Sequence, residues 1–350
     1  MWVIILLKRF ALVLTVLFII PFNCFGAEIS ASSAIVMDAE SHTVLYEKNA
    51  YENRSMASTT KVMTALLALE SNMLDTTVKI NSEALATEGS SLGLKEGDTV
   101  TLYDLVVGMM LTSGNDSANA VAYALAGSIE AFAEMMNIRA DEIGMKNTVF
   151  VTPSGLDSKN HHSTAYDMAL LACEAVMNRS FCTVVSMQSA EITVSGKKVT
   201  VYNHNKLLSM DSDIFGVKTG FTEKAGRCLI SAKNYNGRKI VCVTLNAPDD
   251  WNDHLNLYSQ CEKKYVNKEI KGNIQISVVG SDREQLNCSY AGKACILGNC
   301  EIKIYRRPFV YAPVKKGEKI GTVCVVWNNK TIERLPITAD EDLNYYVREE

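Results

Sequence analysis

Metal ligands are scarce in this sequence, and that scarcity removes a class of chemistry. Among 350 residues there are five histidines, two of them adjacent at His161-His162. No Cys-x-x-Cys or comparable spacing accompanies them, so the pair reads as a surface turn and no metal or other cofactor is expected. Positive charge is not concentrated either. Lys and Arg number 35 against 39 Asp and Glu, a net charge of -4, and they are scattered without a basic stripe, which argues against nucleic acid as a partner. With 47% hydrophobic and 21% charged residues the chain has a globular composition. Its length suits two domains with a sizeable core.

A long apolar span is also missing. The run Phe10 to Phe22, behind Lys8-Arg9, is too short to cross a bilayer comfortably. With small residues around a cut before Ala27 it reads as a secretory signal over 1–26, although apolar Met1 to Leu7 leave a retained anchor open. Either way the chain is expected to be exported across a membrane. Of 10 cysteines, Cys24 falls in the signal, so nine remain and at least one thiol must be unpaired within a chain. Cys173, Cys182, Cys228, Cys242, Cys261 and Cys324 read as small buried hydrophobes. Cys288, Cys295 and Cys300 lie close enough in a turn-rich stretch to admit one disulfide.

What the sequence does contain is an ordered triplet: Ser58-Thr59-Thr60-Lys61, then Ser113-Gly114-Asn115, then Lys218-Thr219-Gly220. Singly, the first two patterns are near noise, since Ser-x-x-Lys recurs at Ser195-Gly196-Lys197-Lys198 and Ser-x-Asn at Ser117 and Ser158. Context separates them. Ser58 precedes an apolar stretch, Val62 to Leu69, free of Gly and Pro and long enough for a buried helix. Residues three apart on a helix share a face, so Lys61 would stand one turn from Ser58 with its amine near the hydroxyl. A helix start also offers unpaired N–H groups and a partial positive charge for an oxyanion. Ser195 instead lies in a predicted β-hairpin, where positions three apart face opposite sides. Ser113 and Asn115 fall in a short loop between helices predicted over Tyr103 to Thr112 and Asp116 to Ala126, with Gly114 breaking the period. Asp116 or Ser117 as an N-cap would explain that turn equally well. Lys218-Thr219-Gly220 sits on a predicted antiparallel strand, where Lys218 is a point charge for an anion, Thr219 a donor, and Gly220 admits close approach of a backbone or ligand.

The triplet resembles the motif set shared by penicillin-binding proteins and β-lactamases. The likeness runs further. Gly144-Met145-Lys146-Asn147-Thr148 with Pro153-Ser154-Gly155-Leu156-Asp157, then Ser163 to Met168, Ala225-Gly226 and Val314 to Gly321 all resemble serine D-alanyl-D-alanine carboxypeptidases, the low-molecular-weight penicillin-binding proteins. That resemblance implies an α+β fold: a β-lactamase/transpeptidase-like domain, antiparallel sheet with helices, at 27–268, followed by a small all-β sandwich at 273–350. It implies Ser58 as nucleophile, Lys61 as its base and Ser113 as proton relay. Asn115 would hold the substrate amide, Lys218 and Thr219 the terminal carboxylate, and Ser58 and Phe221 N–H groups, beside Gly220, the oxyanion. The implied substrate is a peptidoglycan stem peptide, with β-lactams as inhibitors. His204 stands where relatives often carry arginine, and Phe221 where they often carry a smaller or polar residue. Relatives commonly end in a membrane-lying helix, whereas Asn344 to Glu350 are acidic and too short for one. A β-lactamase is the first alternative, but no Glu-x-x-Leu-Asn falls between Asn115 and Lys218, and Gly114 rather than Asp follows Ser113. Endopeptidase action on crosslinks cannot be separated at this level. A non-enzymatic wall-binding or sensor module would need a broken motif, and none is broken.

Overall fold

The structure, a computed structural model, describes residues 29–327 and 329–346; the expected signal segment lies outside them. Five antiparallel strands form the central sheet in the order β2-β1-β9-β8-β7: β1 (Ser33–Asp38), β2 (Val44–Lys48), β7 (Ile214–Thr222), β8 (Gly226–Tyr235) and β9 (Arg238–Leu245). The inner strands read as continuous apolar runs because both faces are covered. Ile35, Met37, Ile230, Val241 and Val243 pack into one apolar cluster, and their neighbours Ala34, Val36, Leu229, Ile240 and Cys242 into another. This is the period-2 alternation of a strand between two layers.

The first layer is helical. It holds α1 (Lys61–Glu70), α2 (Ser82–Leu85), α3 (Leu102–Thr112), α4 (Asn115–Ala126), α5 (Ile129–Ile143), α6 (Ala165–Met177) and α7 (Arg179–Ser186). Short α8 (Leu207–Met210) leads into β7, and α9 (Asp250–Glu262) covers the opposite face. In α1 only Leu67 and Glu70 escape full burial. A helix apolar all round belongs in a core, which is how Lys61 comes to be entirely buried.

A four-stranded sheet, β3 (Thr77–Lys79), β4 (Thr99–Thr101), β5 (Ser189–Val194) and β6 (Lys197–Tyr202), flanks the helices. Ser195 and Gly196 both have positive φ, 49° and 76°, and turn β5 into β6 as a tight hairpin. The second Ser-x-x-Lys is therefore a turn, with Ser195 Oγ bonded to Asp98.

The C-terminal strands form an all-β domain: β10 (Tyr265–Val279), β11 (Gln285–Leu297), β12 (Glu301–Arg306), β13 (Phe309–Tyr311), β14 (Lys319–Trp327) and β15 (Lys330–Ala339). They are hydrogen-bonded as one six-stranded sheet in the order β12-β14-β15-β11-β10-β13. Its two halves meet along a seam of only two paired positions, Cys288↔Ala339 and Ser289↔Thr338, and share one apolar cluster. The stretch Lys268 to Gly272, a boundary by sequence, lies inside β10. All nine cysteines among the described residues are free thiols, Cys288, Cys295 and Cys300 included.

The two domains meet at a buried ion cluster. Arg238 donates to both oxygens of Asp38, at 2.5 and 3.1 Å, and pairs with Glu40 at 3.0 Å. The Tyr265 hydroxyl, at the start of β10, donates to the same Asp38 at 2.8 Å, and the Trp327 ring lies 5.6 Å from the Arg238 guanidinium.

Candidate active site

Ser58 lies in a single 3-10 turn, Ala57–Thr60, that runs directly into α1. The sequence spacing anticipated a helix start; the tighter turn is entered through Ala57, whose φ of 47° is left-handed. A non-glycine residue there carries strain of about 1–2 kcal/mol, held by the surrounding contacts. Three of them are visible: Thr60 Oγ1 bonds His161 Nε2 at 2.9 Å, Thr64 Oγ1 donates to Pro153 O at 2.7 Å, and Gly155 packs against Ala57 O.

Lys61 Nζ has three neighbours: Ser58 Oγ at 2.9 Å, Asn115 Oδ1 at 2.7 Å and Ser154 O at 2.7 Å. Asn115 Nδ2 donates to Glu88 O at 2.6 Å, which fixes the amide so that Oδ1 faces the lysine. Burial, and then the charge of Lys218, hold the Lys61 amine well below the ordinary value of 10.5. The geometry then assigns the lone pair. Asn115 Oδ1 and Ser154 O can only accept, so the two N–H groups of a neutral amine go to them. The 2.9 Å contact with Ser58 Oγ is then the one that the lone pair of a neutral amine would meet.

Ser113 closes α3 in a left-handed conformation, φ 64°, and Gly114 opens α4, whose first residue is Asn115. Asp116, next in line, ties this turn to the loop before α3. Its carboxylate accepts from Ser91 Oγ and from the backbone N–H groups of Leu92, Gly93, Leu94 and Ser117. Burial alone would raise its pKa, but these bonds, Ser91 first, hold it below the usual value.

β7 is an edge strand of the central sheet, so one side of its backbone is free of a neighbouring strand. One face of the strand packs on the Ser58 turn: a Cβ on Gly220 would stand 3.1 Å from Ser58 N and 3.2 Å from Thr59 N. Lys218 is buried, its Nζ bonded to Thr219 O at 2.9 Å, and burial lowers its pKa to about 7. A cleft of about 370 Å³ is lined by Ser58, Ser113, Thr219, Gly220 and Phe221, with Arg227 and Trp251 beyond them. Lys61, Asn115 and Lys218 lie in the layer behind. The eight residues singled out in the sequence thus converge, and Asn115 has its amide oxygen bonded to Lys61 and one N–H to Glu88 O.

A serine hydroxyl, a buried amine bonded to it and a lysine-bearing edge strand lie around one cleft. The family model for D-alanyl-D-alanine carboxypeptidase matches residues 22–249. The chain belongs to this family. The D-alanyl-D-alanine carboxypeptidase DacF of Bacillus subtilis is 30% identical over 89% of this chain and 86% of its own. DacC of Escherichia coli is 32% identical over 93% and 89%. Among solved structures, a D-alanyl-D-alanine carboxypeptidase of Mycobacterium tuberculosis superposes with a TM-score of 0.64 at 29% identity, covering 67% of this chain and 91% of that one. A DD-transpeptidase of Streptomyces gives 0.64 at 32% identity, covering 67% and 98%. The chain is accordingly a serine D-alanyl-D-alanine carboxypeptidase of the penicillin-binding type.

Within this carboxypeptidase fold, three supporting groups escaped the sequence reading. Ser154 contributes a main-chain carbonyl, for which no side-chain signal exists. Asp116 looked like a helix cap and instead braces a loop. His161, expected on the surface, is 3% exposed. Its Nδ1 accepts from Val151 N at 3.0 Å, so Nε2 carries the hydrogen toward Thr60, and burial lowers its pKa to about 4. With Lys61 as the base, acylation would need the neutral amine, which accumulates as pH rises through its lowered pKa. The expected kcat/KM therefore climbs with pH along an acid limb lying well below 10.5; a pH–rate profile still climbing at 10.5 would contradict this.

Proposed function

We propose that the cleft removes the terminal D-alanine from peptidoglycan stem peptides through an acyl-enzyme on Ser58. What supports this most directly is the bonding of Lys61, whose buried Nζ lies 2.9 Å from Ser58 Oγ while Asn115 Oδ1 and Ser154 O each accept one of its N–H groups. As Ser58 Oγ attacks the carbonyl between the two terminal D-alanines, its proton passes to Lys61. The tetrahedral oxyanion is held by backbone N–H groups of Ser58 and Phe221. Ser113 relays a proton to the departing amine of D-alanine, and the C–N bond breaks. Water then attacks the ester, its proton returning through Lys61 and Ser58 oxygen leaving as a hydroxyl. Lys218 and Thr219 bind the substrate's terminal carboxylate, the Lys218 cation being stabilised by the anion it meets.

A β-lactam presents the same carboxylate and a strained amide, and is expected to leave a long-lived ester on Ser58. The separate apolar cluster of the C-terminal strands supports a catalytic unit at 27–268 and a second unit at 273–350. Export follows from the apolar segment within 1–26, since the substrate lies outside the cytoplasmic membrane; among the described residues no single helix is long and apolar enough to cross one.

The chain from residue 27 should release D-alanine from diacetyl-Lys-D-Ala-D-Ala and turn over a chromogenic β-lactam only slowly. Penicillin bound without any D-alanine release would point to a sensor or an endopeptidase. Rapid β-lactam hydrolysis would make the protein a β-lactamase.

A further inference from the structure

Beyond Phe221 the cleft carries a charged feature that the steps above leave unused. Arg227 on β8 pairs across the ladder with Phe221. Its Nη2 donates to Asp250 Oδ1 at 2.6 Å, and its guanidinium lies 5.4 Å from the centre of the Trp251 ring. Both partners come from the first turn of α9. Asp250 is 3% exposed but the Arg227 side chain 41%, so one edge of the guanidinium is anchored and the rest opens to the cleft. Its Nε–H is buried without an acceptor among the described residues, so the donors that face the cleft are the remaining N–H groups of the two Nη atoms. A guanidinium fixed on one side with donors to spare suits a planar, bidentate acceptor.

The strand orders the substrate. With the terminal carboxylate at Lys218 and Thr219 and the attacked carbonyl beside Gly220, the acyl half runs on toward Phe221 and Arg227. An extended chain advances about 3.3 Å per residue. The residue just before the attacked alanine, the third of the stem peptide, therefore lies about 3.3 Å further along, and a long side chain on it runs toward the side where Arg227, Asp250 and Trp251 line the wall.

We propose that this wall is a subsite for a carboxylate on the side chain of the stem peptide's third residue. The proposal rests on the carboxypeptidase reading and names the substrate class within it. Lysine at that position would bring a bare ammonium to Arg227. A diamino acid ending in both ammonium and carboxylate, such as meso-diaminopimelate, would bring the acceptor the guanidinium lacks.

The test compares two pentapeptides, L-Ala-γ-D-Glu-X-D-Ala-D-Ala, with X either lysine or meso-diaminopimelate, which differ by that one carboxylate. For the chain from residue 27, kcat/KM should favour the diaminopimelate peptide roughly tenfold or more, the worth of one charge-assisted bidentate contact. In Arg227→Gln the ratio should fall to about one, and in Arg227→Lys to an intermediate value. Equal kcat/KM in the unaltered chain overturns the subsite whether or not the variants fold, and leaves the carboxypeptidase standing. A preference that persists in folded Arg227→Gln also overturns it. Absence of D-alanine release from both peptides would overturn the underlying reading instead.

Discussion

Replacing Ser58 with alanine should abolish covalent labelling by a fluorescent penicillin, and replacing Lys61 with methionine should slow it by at least about a thousandfold. The two residues act as one unit through a 2.9 Å contact, so the double variant should be no worse than the Ser58 variant alone. Methionine keeps the length and apolar stem of Lys61 but leaves Asn115 Oδ1 and Ser154 O unpaired, at about 1–3 kcal/mol for each buried group. Against that stands the relief of burying an amine. Lys218 gives the measurable case, because its pKa is lowered to about 7 from 10.5. Between those values the unfolded chain binds a proton that the folded chain does not, so the folded state gains stability as pH rises through that window. Denaturant unfolding at pH 7 and pH 9 should show that gain, and Lys218→Met should remove it while crippling peptide turnover. Labelling that survives in Ser58→Ala would sink the assignment of the nucleophile.

Adding one methyl group at Gly155 should damage the enzyme almost as much, without touching any group that meets substrate. Gly155 has φ +85°, and a Cβ there would stand 1.9 Å from Ala57 O and 2.7 Å from Thr60 Oγ1. Backbone cannot yield as a flexible side chain can, so the turn bearing Ser58 must move. Displacement of reacting atoms by about 1 Å costs on the order of a hundredfold in rate. Gly155→Ala should therefore lose about two orders of magnitude in acylation rate and several degrees in Tm. Gly144→Ala is the control. Its φ of +93° is equally left-handed, but nothing lies within 4 Å of the added Cβ. It should cost about 1 kcal/mol of stability and leave acylation intact. Equal acylation by the two variants would show that the Gly155 contact does not hold the turn.

How far the sequence could be read depended on whether the signal was local. Ser58 and Lys61 are one helical turn apart, and the apolar run after them forces burial, so their pairing was legible. The hairpin at Ser195 was excluded on equally local grounds, by Gly196 and strand periodicity. His161 was misread because its environment is made by partners distant in sequence, Thr60 and Val151 among them. The carbonyl of Ser154 has no sequence signature at all. Asn115 carried a pattern but not a direction; only the carbonyl of Glu88 shows which way its amide points. In the C-terminal part, the strands were legible from their turns, whereas the two-position seam between β11 and β15 depends on register that alternation alone does not fix.

The Asp38–Arg238 cluster sets the bearing of everything beyond it. β10 spans 15 residues, on the order of 50 Å when extended, and its first residue is tethered to the floor of the central sheet through Tyr265. Trp327, from a strand at the far side of the second sheet, leans on the same guanidinium. Two attachments on one buried pivot resist both swing and twist. The second domain is thus held to the first at two points that share one guanidinium–carboxylate pair, so loss of Asp38 or Arg238 would release both together.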